Sequence, residues 1–128
     1  MLAVSDGNAA IEFYKAAFGA EVLWHLDSGG HVVAGLSIGR AKFFLAHESP
    51  EYGTRAPNMV GFTTARIELF VEDPIAVHRG ALAAGAIEHT PVKEHAHEMT
   101  GTNPIKRMLQ GAVVDPFGHM WLIGKILE

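Results

Sequence analysis

The sequence predicts an α+β fold built from two copies of a strand–helix–strand–strand–strand unit. Three observations carry this. Two helical segments open on similar triplets, Val4-Ser5-Asp6 and Val71-Glu72-Asp73, and close on the same dipeptide, Gly19-Ala20 and Gly85-Ala86. Strand-like runs separated by turn residues follow the helices. A stretch rich in turn residues, 49–63, with Pro50, Gly53, Pro57, Asn58 and Gly61, divides the chain into a first module of about 1–48 and a second of about 64–128. The 128 residues are one domain's worth. A ferredoxin-like sandwich also has two strand–helix units, but it needs fewer strands than this pattern supplies.

In the first module, Ala10, Ile11, Tyr14, Ala17 and Phe18 fall on one helical face, with Asp6 as N-cap and Gly19 as stop. Runs at 21–26, 32–38 and 42–47 read as strands, separated by Asp27-Ser28-Gly29-Gly30 and Gly39-Arg40. The connector reads as a link of some mobility. In the second module, 65–71 reads as a strand in which Ile67, Leu69 and Val71 alternate with Arg66, Glu68 and Phe70. Asp73 caps the second helix, and Pro74 sits in its first turn, where a missing N–H costs nothing. Later strands run from about 106 to 114 and from 119 to 126, with Asp115-Pro116-Phe117-Gly118 turning between them.

The formal charge of −4 and the absence of a basic stripe argue against nucleic acid as a partner. No apolar run is long enough to span a bilayer, and the first residues carry no secretory pattern, so a cytoplasmic protein is expected. Zero cysteines exclude disulfides, thiolate metal sites and Cys nucleophiles. No Gly-x-Ser-x-Gly elbow or phosphate-binding glycine loop is present.

Residues 4–21, from Val-Ser-Asp-Gly-Asn to Phe-Gly-Ala-Glu, resemble the opening of vicinal-oxygen-chelate proteins, most of all the PhnB-like branch of the glyoxalase/bleomycin-resistance/dioxygenase group. Residues 114–121, Val-Asp-Pro-Phe-Gly-His-Met-Trp, resemble that group's closing hairpin. The resemblance implies two βαβββ modules curved into a cup, and frequently a homodimer with each cup built from modules of both chains. In metal-using members, His or Glu ligands project into the cup. The available ligand positions fall here on Phe44, Arg66 and Trp121, so no metal and no other cofactor is expected. Arg66 offers only donors and a fixed positive charge.

By alternation, Phe44 would line the cup with Lys42 and Ala46, Arg66 with Glu68 and Phe70, and Trp121 with His119 and Ile123. The candidate ligand-binding residues are therefore Phe44, Arg66, Glu68, His119 and Trp121. Glu68 and His119 are also the candidate proton-transfer residues. Aromatic walls with a charged pair suit a planar ligand carrying a cationic group. His95 and His97 are two apart on a charged stretch that reads as a solvated loop or edge, with chelation as the rival reading. His47 ends a strand; His25, His31, His78 and His89 are isolated in sequence. The first expectation is a metal-free protein that binds an aromatic or cationic natural product, such as an antibiotic, with no membrane partner. The alternatives are a lyase, isomerase or dioxygenase-like enzyme with unusual ligands or metal-free acid–base chemistry, and an interaction domain whose cup is filled by its own side chains.

Overall fold

A computed structural model describes residues 1–127. The first module runs β1 (Leu2–Val4), α1 (Gly7–Phe18), β2 (Glu21–Ser28), β3 (His31–Ile38) and β4 (Ala41–His47). The second runs β5 (Arg66–Phe70), α3 (Pro74–Ala84), β6 (Ile87–Ala96), β7 (Arg107–Val114) and β8 (Met120–Ile126), after a short helix α2 (Pro57–Val60) in the connector. Each module forms a four-stranded sheet of identical topology, β1-β4-β3-β2 and β5-β8-β7-β6. In each, the first strand pairs parallel with the last and the remaining pairs are antiparallel. The two βαβββ units expected from the repeat are therefore present.

The helix boundaries follow from local chemistry. Asp6 accepts the Ala9 amide at 3.0 Å and Asp73 the Ala76 amide at 3.1 Å, each satisfying an orphan donor of the first turn. Gly19 ends α1 in the left-handed region (φ 66°), which a side chain would disfavour. α1 packs on β3 and β4, α3 on β6, β7 and β8, and the two helices pack on each other. Tyr14 of α1 touches both Phe43 of β4 and Trp121 of β8, so the modules share one apolar core.

Two elements differ from the sequence reading. Residues 87–96, part of which reads as a solvated loop or edge, form the ten-residue edge strand β6. Pro91 is tolerated there because an edge strand can spare an amide, and register shifts interrupt the ladder between Glu88 and Lys93. The connector is more ordered than a run of turns. It holds a 3₁₀ turn (Pro50–Tyr52) and α2, and Glu48 anchors it by accepting from the Ala56 amide at 2.9 Å and Arg55 Nε at 3.1 Å. The Asn58 amide donates to the Phe117 carbonyl, which ties the connector to the closing hairpin.

Candidate functional site

The helices cover one face of each sheet. The other face stands open, and its chemistry differs between the two. On the first sheet the core face carries Val32, Ala34, Leu36 and Leu45, all fully buried. The alternate positions Trp24, Leu26, Gly35 and Phe44 therefore look outward. The Trp24 indole lies against Gly35: a Cβ at Gly35 would stand 2.4 Å from Trp24 Nε1. Only glycine permits that approach. Phe44 flanks the indole at 5.6 Å between ring centroids. Trp24 and Phe44 remain 42% and 41% exposed, an aromatic shelf that has not been consumed by the core.

On the second sheet, Arg66, Glu68 and Phe70 are exposed while Ile67 and Leu69 pack inward, the phase expected from their alternation. Met120 and Leu122 of β8 pair with Arg66 and Glu68 and share their face. Gln110 of β7 joins them, its amide Nε2 donating to Glu68 Oε1 at 3.1 Å. This fixes the carboxylate without neutralising it. Among the described residues no ion pair joins Arg66 to Glu68, so they do not satisfy each other.

The structure corrects the placement of two candidates. Trp121 is 2% exposed and points into the core, where it packs on Tyr14, Phe18 and Phe43. Ile123 is fully buried on the same side. The phase of β8 is one residue away from the one expected, because a slip of one inverts every side chain. His119 is also buried; its Nε2 donates to the Ala3 carbonyl at 2.7 Å, which fixes the proton on that nitrogen and staples the closing turn before β8 to β1 across the modules. A carbonyl can only accept. His119 is thus placed as a structural link, whereas Phe44, Arg66 and Glu68 stand on open faces.

The hub of the closing hairpin is Asp115, which the sequence marks only as a turn residue. Its buried carboxylate accepts from Tyr14 Oη (2.5 Å), Trp121 Nε1 (2.9 Å) and the amides of Phe117 (2.9 Å) and His119 (3.0 Å). Four donors compensate a charge that would otherwise be costly to bury. Burial, reinforced by the adjacent carboxylate, pushes the Tyr14 hydroxyl well above its ordinary value, so Tyr14 stays a donor.

The three residues at which the sequence resemblance implies metal ligands have side chains that do not fit a metal. Phe44 has no lone pair to offer, Arg66 is a fixed cation, and Trp121 has its only N–H committed to Asp115. The outward neighbours on β8, Met120 and Leu122, supply no oxygen or nitrogen either. Elsewhere, the His95 and His97 rings stack at 6.1 Å, with His95 Nε2 donating to the Gln110 carbonyl. His47 lies 5.6 Å from His31, and His78 bonds Glu88 at 2.9 Å. Among the described residues no three His, Asp or Glu side chains converge as a metal site would need.

Comparison with known proteins places these features in context. The family model described as Glyoxalase/Bleomycin resistance protein/Dioxygenase superfamily matches residues 1–123. The uncharacterized protein Mb0911c of Mycobacterium bovis is 32% identical over 97% of this chain and 79% of its own length. Among solved structures, a gene product of Arabidopsis thaliana superposes with a TM-score of 0.70 at 26% identity, covering 98% of this chain and 94% of that one. TioX from Micromonospora sp. ML1 superposes with a TM-score of 0.68 at 22% identity, covering 97% and 90%. A glyoxalase-related enzyme from Fulvimarina pelagi gives 0.64 at 20% identity, covering 97% and 83%.

Proposed function

The chain belongs to the glyoxalase/bleomycin resistance protein/dioxygenase superfamily, and from that premise we propose that it is a metal-free binding protein for an aromatic, cationic small molecule. The observation that carries this is the Trp24 indole held against Gly35 beside Phe44, partly exposed on an open sheet face. A planar ring stacks on such a shelf, and a cationic group on it is further attracted to the indole face. Glu68, oriented by Gln110 on the other open face, is the anionic counterpart. The two faces lie in different sheets; in this reading a second copy of the chain sets an aromatic face against a charged one. In this reading the protein is a cytoplasmic homodimer, akin to the PhnB-like branch, and takes up natural products of the antibiotic type. A second reading, metal-free acid–base chemistry through Glu68, rests on the same Gln110 bond, since it aims a carboxylate on an open face.

Metal content separates these readings from a metalloenzyme. Protein incubated with Zn, Ni, Mn and Fe and then desalted should retain far less than one equivalent per chain. Retention near one equivalent overturns the metal-free reading. N-methylquinolinium should quench tryptophan fluorescence saturably, with Trp24→Phe abolishing most of the quenching and Glu68→Gln weakening binding roughly tenfold, the scale of one charged contact. Saturable quenching unaffected by both substitutions would place the ligand elsewhere.

A further inference from the structure

We propose that the ring taken up on the Trp24 shelf carries an ammonium group beside a neutral carbonyl, the head group of an aromatic α-amino amide or ester, and that Glu21 and Ser37 receive it on the same sheet. The inference rests on the shelf reading above and adds the residues that recognise the substituent. Register places them. Glu21 pairs with Ser37 and Ser37 with Lys42, so one row of three side chains crosses β2, β3 and β4. Trp24, Gly35 and Phe44 form the next row. Side chains two apart on a strand share a face, so Ser37 looks outward with Gly35, and Lys42 with Phe44. On β2, Glu21 and Trp24 are three apart and would face opposite ways in a regular strand. The register shift between Val22 and Trp24 supplies the extra residue that returns them to one face. A polar row thus borders the aromatic one.

The polar row has bonding capacity to spare. Ser37 is only 9% exposed, and its hydroxyl makes no hydrogen bond among the described residues. Among those residues the polar side-chain atoms sealed from solvent without a partner are His47 Nδ1 and His78 Nδ1, so the Ser37 hydroxyl stays within reach at the floor of the row. A polar group so nearly enclosed ordinarily has a partner, and an acceptor on a ligand supplies one. Glu21 and Lys42 are exposed and likewise make no hydrogen bond or ion pair among the described residues. Their backbones stand about 10 Å apart, two strand spacings, on either side of Ser37. The two charges therefore flank the hydroxyl without meeting across it.

Charge selects the head group. Lys42 also borders a cavity that Glu68 lines. Glu21, Lys42 and Glu68 together leave one net negative charge, which a monocation balances and a carboxylate does not. Lys42 repels a cation from its own end of the row, so the ammonium goes to Glu21, on the strand that carries the Trp24 indole. The neighbouring carbonyl then lies over Ser37, whose hydroxyl donates to it, with Lys42 Nζ as a second donor. A simple amine would leave Ser37 without its acceptor. A free amino acid would set its carboxylate in the field of Glu21 and Glu68.

The test is an NMR titration of ¹⁵N-labelled protein at about pH 6, below the α-amino range, with tryptophanamide, tryptamine, N-acetyltryptophanamide and free tryptophan. Tryptophanamide should bind most tightly, with amide shifts centred on residues 21–24, 35–37 and 42–44. Glu21→Gln should weaken tryptophanamide and tryptamine roughly tenfold and leave N-acetyltryptophanamide unchanged. Ser37→Ala should weaken tryptophanamide by up to about tenfold and leave tryptamine unchanged. Glu21 is exposed, so its variant tests the proposal even if Ser37→Ala disturbs the fold. Tryptophanamide binding that ignores both substitutions, while N-methylquinolinium still binds through Trp24, overturns the head-group assignment and leaves the shelf standing. Tryptophan binding more tightly than its amide overturns the neutral carbonyl. Failure of tryptophanamide and N-methylquinolinium alike removes the shelf reading and this inference with it.

Discussion

The two modules start and stop their elements alike, yet they divide the chemistry between them. α1 sends Phe13, Tyr14 and Phe18 into the shared core, while α3 carries Ala81 at the same offset from its capping aspartate as Tyr14 in α1. The second module returns the favour through its hairpin. Asp115 and Trp121 meet Tyr14, where the first module has only the Gly39-Arg40 turn. The open faces repeat the asymmetry, aromatic on the first sheet and polar on the second. A duplicated backbone thus holds the register while each half is free to specialise one face. The tightly packed faces should govern stability and the open faces should govern binding.

The two tryptophans test this division with the largest expected effect. Trp121→Ala empties a core position and removes one of the four donors to the buried Asp115 carboxylate, and it should lower the unfolding free energy by about 3–5 kcal/mol. Trp24→Ala removes a half-exposed ring and should cost less than about 1 kcal/mol. Urea unfolding of both variants decides the matter. Similar losses would mean that the Trp24 shelf is core after all.

How far this division was legible beforehand depended on whether a strand mixes polar with apolar residues. In β5, Arg66 and Glu68 alternate with Ile67 and Leu69, and the phase is unambiguous. In β8, Met120, Trp121, Leu122 and Ile123 are apolar on both sides, so nothing local sets the phase and Trp121 was expected on the wrong face. The cap residues Asp6, Asp73 and Gly19 act through their nearest neighbours, which is why the helices were legible. β6 has Pro91 and little apolar alternation, since an exposed edge needs neither a complete ladder nor a buried face. Trp24 was overlooked as a site residue. Its signal was Gly35 in the middle of a strand, which marks close approach by another group.

Two glycines sharpen the contrast at intermediate size. A Cβ at Gly35 meets the indole of Trp24, an exposed side chain that can swing away. A Cβ at Gly111 meets the Val92 backbone nitrogen and Cγ2 at 2.8 Å, where the strand itself would have to move. Gly111→Ala should therefore cost about 1–3 kcal/mol. Gly35→Ala should change stability by less than about 1 kcal/mol while shifting tryptophan emission and weakening N-methylquinolinium binding. If Gly35→Ala proves the more destabilising, the shelf is a rigid part of the fold.

The smallest effect concerns the connector, which belongs to neither face. The Ala56 amide, and secondarily Arg55, hold the Glu48 carboxyl below its ordinary value of 4.5. A carboxyl whose folded value is lowered contributes stability above its unfolded value, and that contribution is lost as pH falls through the folded one. The connector's anchor should therefore be intact at neutral pH and begin to weaken as pH falls below about 4.5. Hydrogen exchange at Ala56, corrected for intrinsic pH dependence, should accelerate over that window, while Val113 in the core keeps its protection. Because the partners of Glu48 are local to the connector, Glu48→Gln should abolish most of the pH dependence at Ala56 without moving the global unfolding midpoint measurably. A matching loss of protection at Val113 would mean that the connector and the core unfold as one unit, and that the division between packed and open regions does not extend to residues 49–63.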